Sequence, residues 1–118
     1  MQDILTILLF VHGIAHFPGV IVPWRIAVHR DMPYKTTLLS GRIRLSKRGM
    51  KFVGLLWLLA SLTFFLAGIG LFILSPWWKT MTYIVTIFSS ALCILDWPDT
   101  RFGIIIDAAI LIILLFFL

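Results

Sequence analysis

Two histidines four residues apart, His12 and His16, lie in a stretch from Ile4 to Val22 that otherwise carries no ionisable side chain. In a helix that spacing puts both imidazoles on one face, about a turn apart. The same face collects Leu5, Leu9, Gly19 and Pro23. Ionisable groups at membrane depth are rare and face the bundle or a cavity, which makes this pair the best candidate site in the chain. Such a pair is half of a metal site, but a zinc-like centre needs three or four ligands, and the remaining supply is Asp107, Cys93 and His29. A haem or chlorin could take one axial histidine, although two on one face of one helix cannot reach opposite sides of the same iron. A quinone or lipid-like substrate could use the pair for hydrogen bonding or proton transfer. Against all of these stands a structural reading, in which both rings simply bond neighbouring helices or backbone carbonyls.

Asp107 is the second candidate, as a carboxylate partner that fixes an imidazole bound to a cofactor. Helical rise puts it about 8 Å from the inner boundary of its span, against about 10 Å for His16, so an Asp107–His16 pair is expected if the first and last spans are adjacent. Other catalytic equipment is thin. There is no glutamate among the 118 residues, and the carboxylates are Asp3, Asp31, Asp96, Asp99 and Asp107. The lone Cys93 reads as a small packing residue.

These residues need helices to carry them through lipid. With 61% hydrophobic residues and a mean hydropathy of +1.07, a chain this short cannot keep its apolar surface from water. Four apolar stretches, about 4–22, 52–74, 80–95 and 102–118, predict an all-α, four-span membrane bundle forming a single domain. The first stretch lacks the basic start and cleavage site of a secretory signal and reads as a retained span. Eight of the ten Lys and Arg (Arg25, Arg30, Lys35, Arg42, Arg44, Lys47, Arg48 and Lys51) crowd the 24–51 loop, and Arg101 lies on the same side. Lys79 alone lies on the other side. By the positive-inside rule both termini face outward and the basic loop is cytoplasmic, which predicts a bacterial inner-membrane protein. Trp24 and Trp97 mark the inner boundary and Trp77 and Trp78 the outer, while Trp57 lies inside its span.

Pro23 is expected to close the first span, Ser46 to cap the second, Ser75-Pro76 to break the outer hairpin and Asp99 to cap the fourth span. The loop cations, interleaved with Ile26, Met32, Leu38, Leu39, Ile43 and Leu45, suit either a segment lying among anionic headgroups or a solvated loop. Nucleic acid is not an expected partner, since the charge of +5 sits beside apolar spans. Gly54, Ser61 and Gly68 recur every seven residues and permit close helix approach or dimerisation. Thr82, Thr86, Ser89, Ser90 and Cys93 form a similar face, whose hydroxyls can bond back to their own helix. The turn from Asp96 to Gly103 reads as a structural corner.

The segments Val11-His12-Gly13-Ile14-Ala15-His16-Phe17-Pro18-Gly19, Leu55-Leu56-Trp57-Leu58-Leu59-Ala60 and Trp97-Pro98-Asp99-Thr100-Arg101-Phe102-Gly103 resemble a bacterial family of small four-helix membrane proteins. Its members are labelled permease or grouped as DoxX-like. The resemblance implies a bundle with a histidine-bearing first helix and supplies no reaction; the position matching Asp107 is commonly an uncharged polar residue there. The expected role is a small accessory or structural subunit of a membrane complex, partnered by other membrane chains or by its own copies. The alternative is a redox or electron-transfer component binding haem, pigment, metal or quinone at His12 and His16. A third reading is a small transporter.

Overall fold

Ser46 starts the longest helix: its backbone is extended and its hydroxyl accepts a hydrogen bond from the Gly49 N–H at 3.0 Å. In this computed structural model, which describes residues 2–26, 34–97 and 99–117, the helix from that cap is α3, Lys47–Phe72. It therefore begins earlier than the apolar stretch at Phe52, and Lys47, Arg48 and Lys51 belong to its first turns rather than to the loop. The remaining helices are α1 (Gln2–Ala15), α2 (Phe17–Ile21), α4 (Trp78–Leu95) and α5 (Arg101–Phe116). α1 and α2 together form the first apolar span and end at Ile21, just before Pro23. Asp99 does not cap α5. The residue at that cap is Thr100, and the Asp99 carboxylate turns to Lys35 instead.

Three of these helical segments, Gln2–Ile21, Lys47–Phe72 and Trp78–Leu95, are long and apolar enough to cross a membrane. α5 has 16 residues. Each helix packs on the next, and α5 returns to α1, so the first and last helices are neighbours. Large apolar side chains such as Ile7, Val11, Leu59, Ile87 and Ile112 face outward on each of the helices α1, α3, α4 and α5. This is the inverse of a water-soluble surface and matches a lipid environment.

The small-residue seam of α3 is used within the chain. A side chain at Gly54 would collide with the Trp24 indole, one at Gly68 would crowd Phe10, and Ser61 Oγ donates to the Gly13 carbonyl at 2.7 Å. The close approach is to α1 and its extension, so these positions are covered rather than offered to a second copy.

The basic loop is not a flat surface segment over its described part. Residues 34–45 form a hairpin, β1 (Thr37–Leu38) with β2 (Ile43–Arg44), antiparallel with Leu38 opposite Ile43. Leu38 is buried, and the Leu39 N–H donates to the Leu95 carbonyl at 2.7 Å, which docks the hairpin on the end of α4. The connecting turn runs through positive φ at Leu39, Ser40 and Gly41, of which only Gly41 adopts it without steric cost. Arg30, His29, Asp31 and Met32 lie outside the described residues, as does Leu118.

Two apolar clusters fill the bundle. Leu5, Leu9, Phe64, Ala67, Leu71, Val85, Ile110, Ile113 and Leu114 fill the end away from the hairpin; Leu38, Met50, Val53, Trp57, Ala60, Leu92 and Cys93 fill the end beneath it. Between them lies a layer of buried polar side chains.

Candidate functional site

Pro18 sets the site up. It has no N–H to continue the helix, and the chain breaks between Ala15 and Phe17. At the break, the His16 N–H bonds the Gly13 carbonyl at 3.3 Å. The His12 carbonyl is met at 2.7 Å by His16 Nδ1, so a ring nitrogen serves the carbonyl that a regular helix would have given to the His16 backbone. The histidine thereby repairs the backbone defect and acquires a fixed ring orientation. Gly19 follows, where a Cβ would stand 2.3 Å from the Trp57 ring; only glycine lets that indole lie against the chain.

Four polar side chains from three helical segments then join. His12 Nε2 lies 2.8 Å from Asp107 Oδ1. His16 Nε2 lies 2.8 Å from Ser89 Oγ, and Ser89 Oγ lies 2.9 Å from Asp107 Oδ2. Ser90 Oγ is 3.3 Å from the same carboxylate oxygen, with a shorter bond of 2.9 Å to the Thr86 carbonyl. All four principal groups are essentially without exposure: His12, His16 and Asp107 at 1%, Ser89 at 0%. Phe64 packs on both imidazoles, and Trp57 lies 5.0 Å from His16.

The predicted face of α1 and α2 is intact, with Leu5, Leu9, His12, His16, Gly19 and Pro23 all buried. The predicted carboxylate partner is corrected. Asp107 pairs directly with His12 and reaches His16 only through Ser89. Helical rise estimates the level of a residue but not the direction of its ring, and His16 Nδ1 is already tied to its own backbone, which turns Nε2 toward α4. Thr82, Thr86 and Ser90 bond back to α4 as the sequence suggests, whereas Ser89 crosses to Asp107. Ser89 was not distinguishable from its neighbours by type; its register relative to Asp107 is a tertiary fact. Trp57 carried a signal, as the one tryptophan away from a boundary.

Beside the network lies a crevice of about 180 Å³ between the α1–α2 segment and the first turns of α5. His12, His16, Trp57, Cys93, Gly103 and Ile106 form its inner wall, and exposed Ala15 and Phe102 line it at the surface. His12 Nδ1 is buried and has no hydrogen-bond partner among the described residues. The neighbouring ring carbon, Cε1, is 3.8 Å from where a Gly103 Cβ would stand, so absence of a side chain at Gly103 keeps that ring edge uncrowded. Cys93 is buried, with its sulfur pressed toward Gly103, and among the described residues no three His, Cys, Asp or Glu side chains converge as a metal cluster.

The loop cations divide. Arg42, Arg44, Lys47, Arg48 and Lys51 are exposed at the hairpin end, and exposed Arg25 stacks its guanidinium 4.5 Å from the Tyr34 ring. Lys35 is turned inward, with its ammonium 3.0 Å from Asp96 and 2.7 Å from Asp99, so it is committed to the chain rather than to headgroups. Burial disfavours the charged ammonium, but the two carboxylates outweigh it and hold Lys35 above the ordinary lysine range. Burial pushes Asp96 up as well, and there it outweighs the lysine. The opposite senses of these balances follow from exposure, since Asp96 is the more deeply buried partner and one of its oxygens has no bond among the described residues.

No family model matches the chain, and no curated protein or solved structure is detectably similar to it.

Proposed function

We propose that this is a small four-span membrane protein whose crevice binds a compact, lipid-soluble organic molecule through the histidine layer. The observation that carries this reading is the unpartnered, buried His12 Nδ1 on a ring that lines an apolar crevice. An orphaned polar atom in a low-dielectric interior costs free energy, and a ligand group reaching it would recover that cost. An organic ligand suits the donor set better than a metal or tetrapyrrole. Both nitrogens of His16 and one of His12 are engaged, and about 180 Å³ is far too little for a haem or chlorin.

The fourth span is α5, whose 16 residues give about 24 Å of helix, near the hydrocarbon thickness of a thin or locally adapted bilayer. The exposed cations at the hairpin end support a cytoplasmic hairpin, outward termini and contact with anionic headgroups in a bacterial inner membrane. A second reading, a structural accessory subunit of a larger membrane complex, is favoured by the internal satisfaction of nearly every other polar atom in the layer, which makes it an interhelical clasp. The two readings differ in what copurifies. Gentle extraction followed by mass analysis should find a small organic molecule in near-stoichiometric amount with the wild type and lose it in Ile106→Trp and Ala15→Phe, which obstruct the crevice. A fixed ratio of partner chains with no small molecule would support the clasp and sink the ligand reading.

A further inference from the structure

The hydrogen-bond pattern restricts where the protons are, and with them the chemistry the crevice accepts. His16 Nδ1 faces a carbonyl, which can only accept, so Nδ1 carries hydrogen. Ser89 has one hydroxyl hydrogen for which His16 Nε2 and Asp107 Oδ2 compete; its third polar neighbour, the Cys93 thiol, is only a weak donor and acceptor. If Ser89 donates to an ionised Asp107, it must accept from His16 Nε2–H, and His16 is an imidazolium. If Ser89 donates to a neutral His16, it must accept from a protonated Asp107 Oδ2. The two arrangements differ by the passage of one proton along His16–Ser89–Asp107, and in both the layer as a whole is neutral. Assignments with a net charge would bury it in an apolar bundle at large cost. Both neutral assignments leave Asp107 Oδ1 an acceptor, so His12 Nε2 holds the hydrogen that it donates across 2.8 Å. Nδ1 of His12 is then a bare lone pair.

Resting on the reading of the crevice as a ligand site, we infer that it selects a single-ring molecule bearing a hydroxyl, a phenol or quinol type of head, whose O–H donates to His12 Nδ1. The size agrees, because a dry cavity of ~150 Å³ lined by apolar side chains holds one benzene, and the crevice has about 180 Å³. The Trp57 indole and Ile106 supply faces for the ring, and the ordering of His12 by Asp107 presents the acceptor already oriented. A carbonyl or ether head would meet lone pair with lone pair and be rejected, in the way a site built to bond a hydroxyl rejects an analogue lacking it.

The test compares p-cresol with its methyl ether, 4-methylanisole, at equal mole fraction in bilayer nanodiscs holding the full chain. The readouts are saturable binding and the ¹⁵N signals of the histidines. The expected result is at least tenfold tighter binding of p-cresol, abolished by Ile106→Trp, with a shift of the bare His12 nitrogen by p-cresol alone. His12→Gln identifies that signal by its loss, and the wild-type spectrum itself tests the tautomer should the variant fail to fold. Equal binding of the two rings, tighter binding of the ether, or hydrogen on His12 Nδ1 would overturn the hydroxyl selection while leaving a ring-binding crevice in place. Saturable binding of neither ring would overturn the ligand reading as well.

Discussion

The chain neutralises buried charge in two places and by different means. At the hairpin end, Lys35 lies between Asp96 and Asp99 at the rim, with its side chain 24% exposed. In the middle of the bundle, Asp107 is met by His12 and Ser89 with 1% exposure, and among the described residues no lysine or arginine pairs with it. The rim uses a full ammonium because water can still solvate what the carboxylates leave over. The interior uses imidazole and hydroxyl, groups that can share one proton and keep the layer neutral. The rim therefore works as a clasp joining the hairpin to the α4–α5 turn, and the interior has both a fixed geometry and a proton with two resting places.

Breaking the interior should cost most. Asp107→Ala removes the acceptor shared by His12 and Ser89 and should lower stability by roughly 2–3 kcal/mol, between the full cost of breaking a buried pair and the smaller values for hydrogen bonds within membranes. Unfolding in mixed micelles measures it. Asp107→Asn should lose much less, because its amide N–H can donate to Ser89 as a protonated carboxyl would; an equal loss would contradict the neutral arrangement. Gly19→Ala should cost about 1–2 kcal/mol through overpacking, since the new methyl must displace Trp57. A change in tryptophan fluorescence should accompany the loss. Ser89→Ala cuts the link between His16 and Asp107 and should cost on the order of 1 kcal/mol, with His12–Asp107 intact.

The rim gives the smallest effects. Lys35→Met should leave the helices folded and raise amide exchange or protease cleavage within residues 34–45, by about 1 kcal/mol, since Lys35 and Asp99 are partly exposed and the buried Asp96 can take up a proton in place of its cation. Its pH response sharpens the contrast. A raised Lys35 value means its contribution is fully present below the ordinary value of 10.5 and is lost as pH rises through the higher folded value. Asp96, raised by burial, favours the folded state while protonated, and that advantage declines as pH rises from the ordinary 3.8 through its raised value. Both groups make stability fall with rising pH, in two separate windows. Exchange in the hairpin that decreased across either window would contradict this.

The sequence revealed the rim less clearly than the interior. The histidine face of α1, the Ser46 cap and the apolar spans follow from periodicity and composition, which are local. The α3 seam was legible as close packing, but its partner was α1 rather than a second copy. Lys35 was one cation among eight in the loop, and nothing local told it from Arg42 or Arg44; its two carboxylates lie more than 60 residues away. The hairpin also depends on docking, with Leu38 buried against helices that a loop sequence does not contain. The choice of His12 over His16 as the Asp107 partner turned on a ring nitrogen filling the gap at Pro18. The ingredients were present in the sequence, but the rotation of a ring is a property of the packed bundle.

The most direct test of the interior is a double-mutant cycle of His12→Phe and Asp107→Leu, read as unfolding free energies in one micelle system. The pairing described above predicts that each single change is destabilising while the double variant recovers, giving a coupling of about 1 kcal/mol or more. Additive losses, within about 0.3–0.5 kcal/mol as for independent sites, would contradict it.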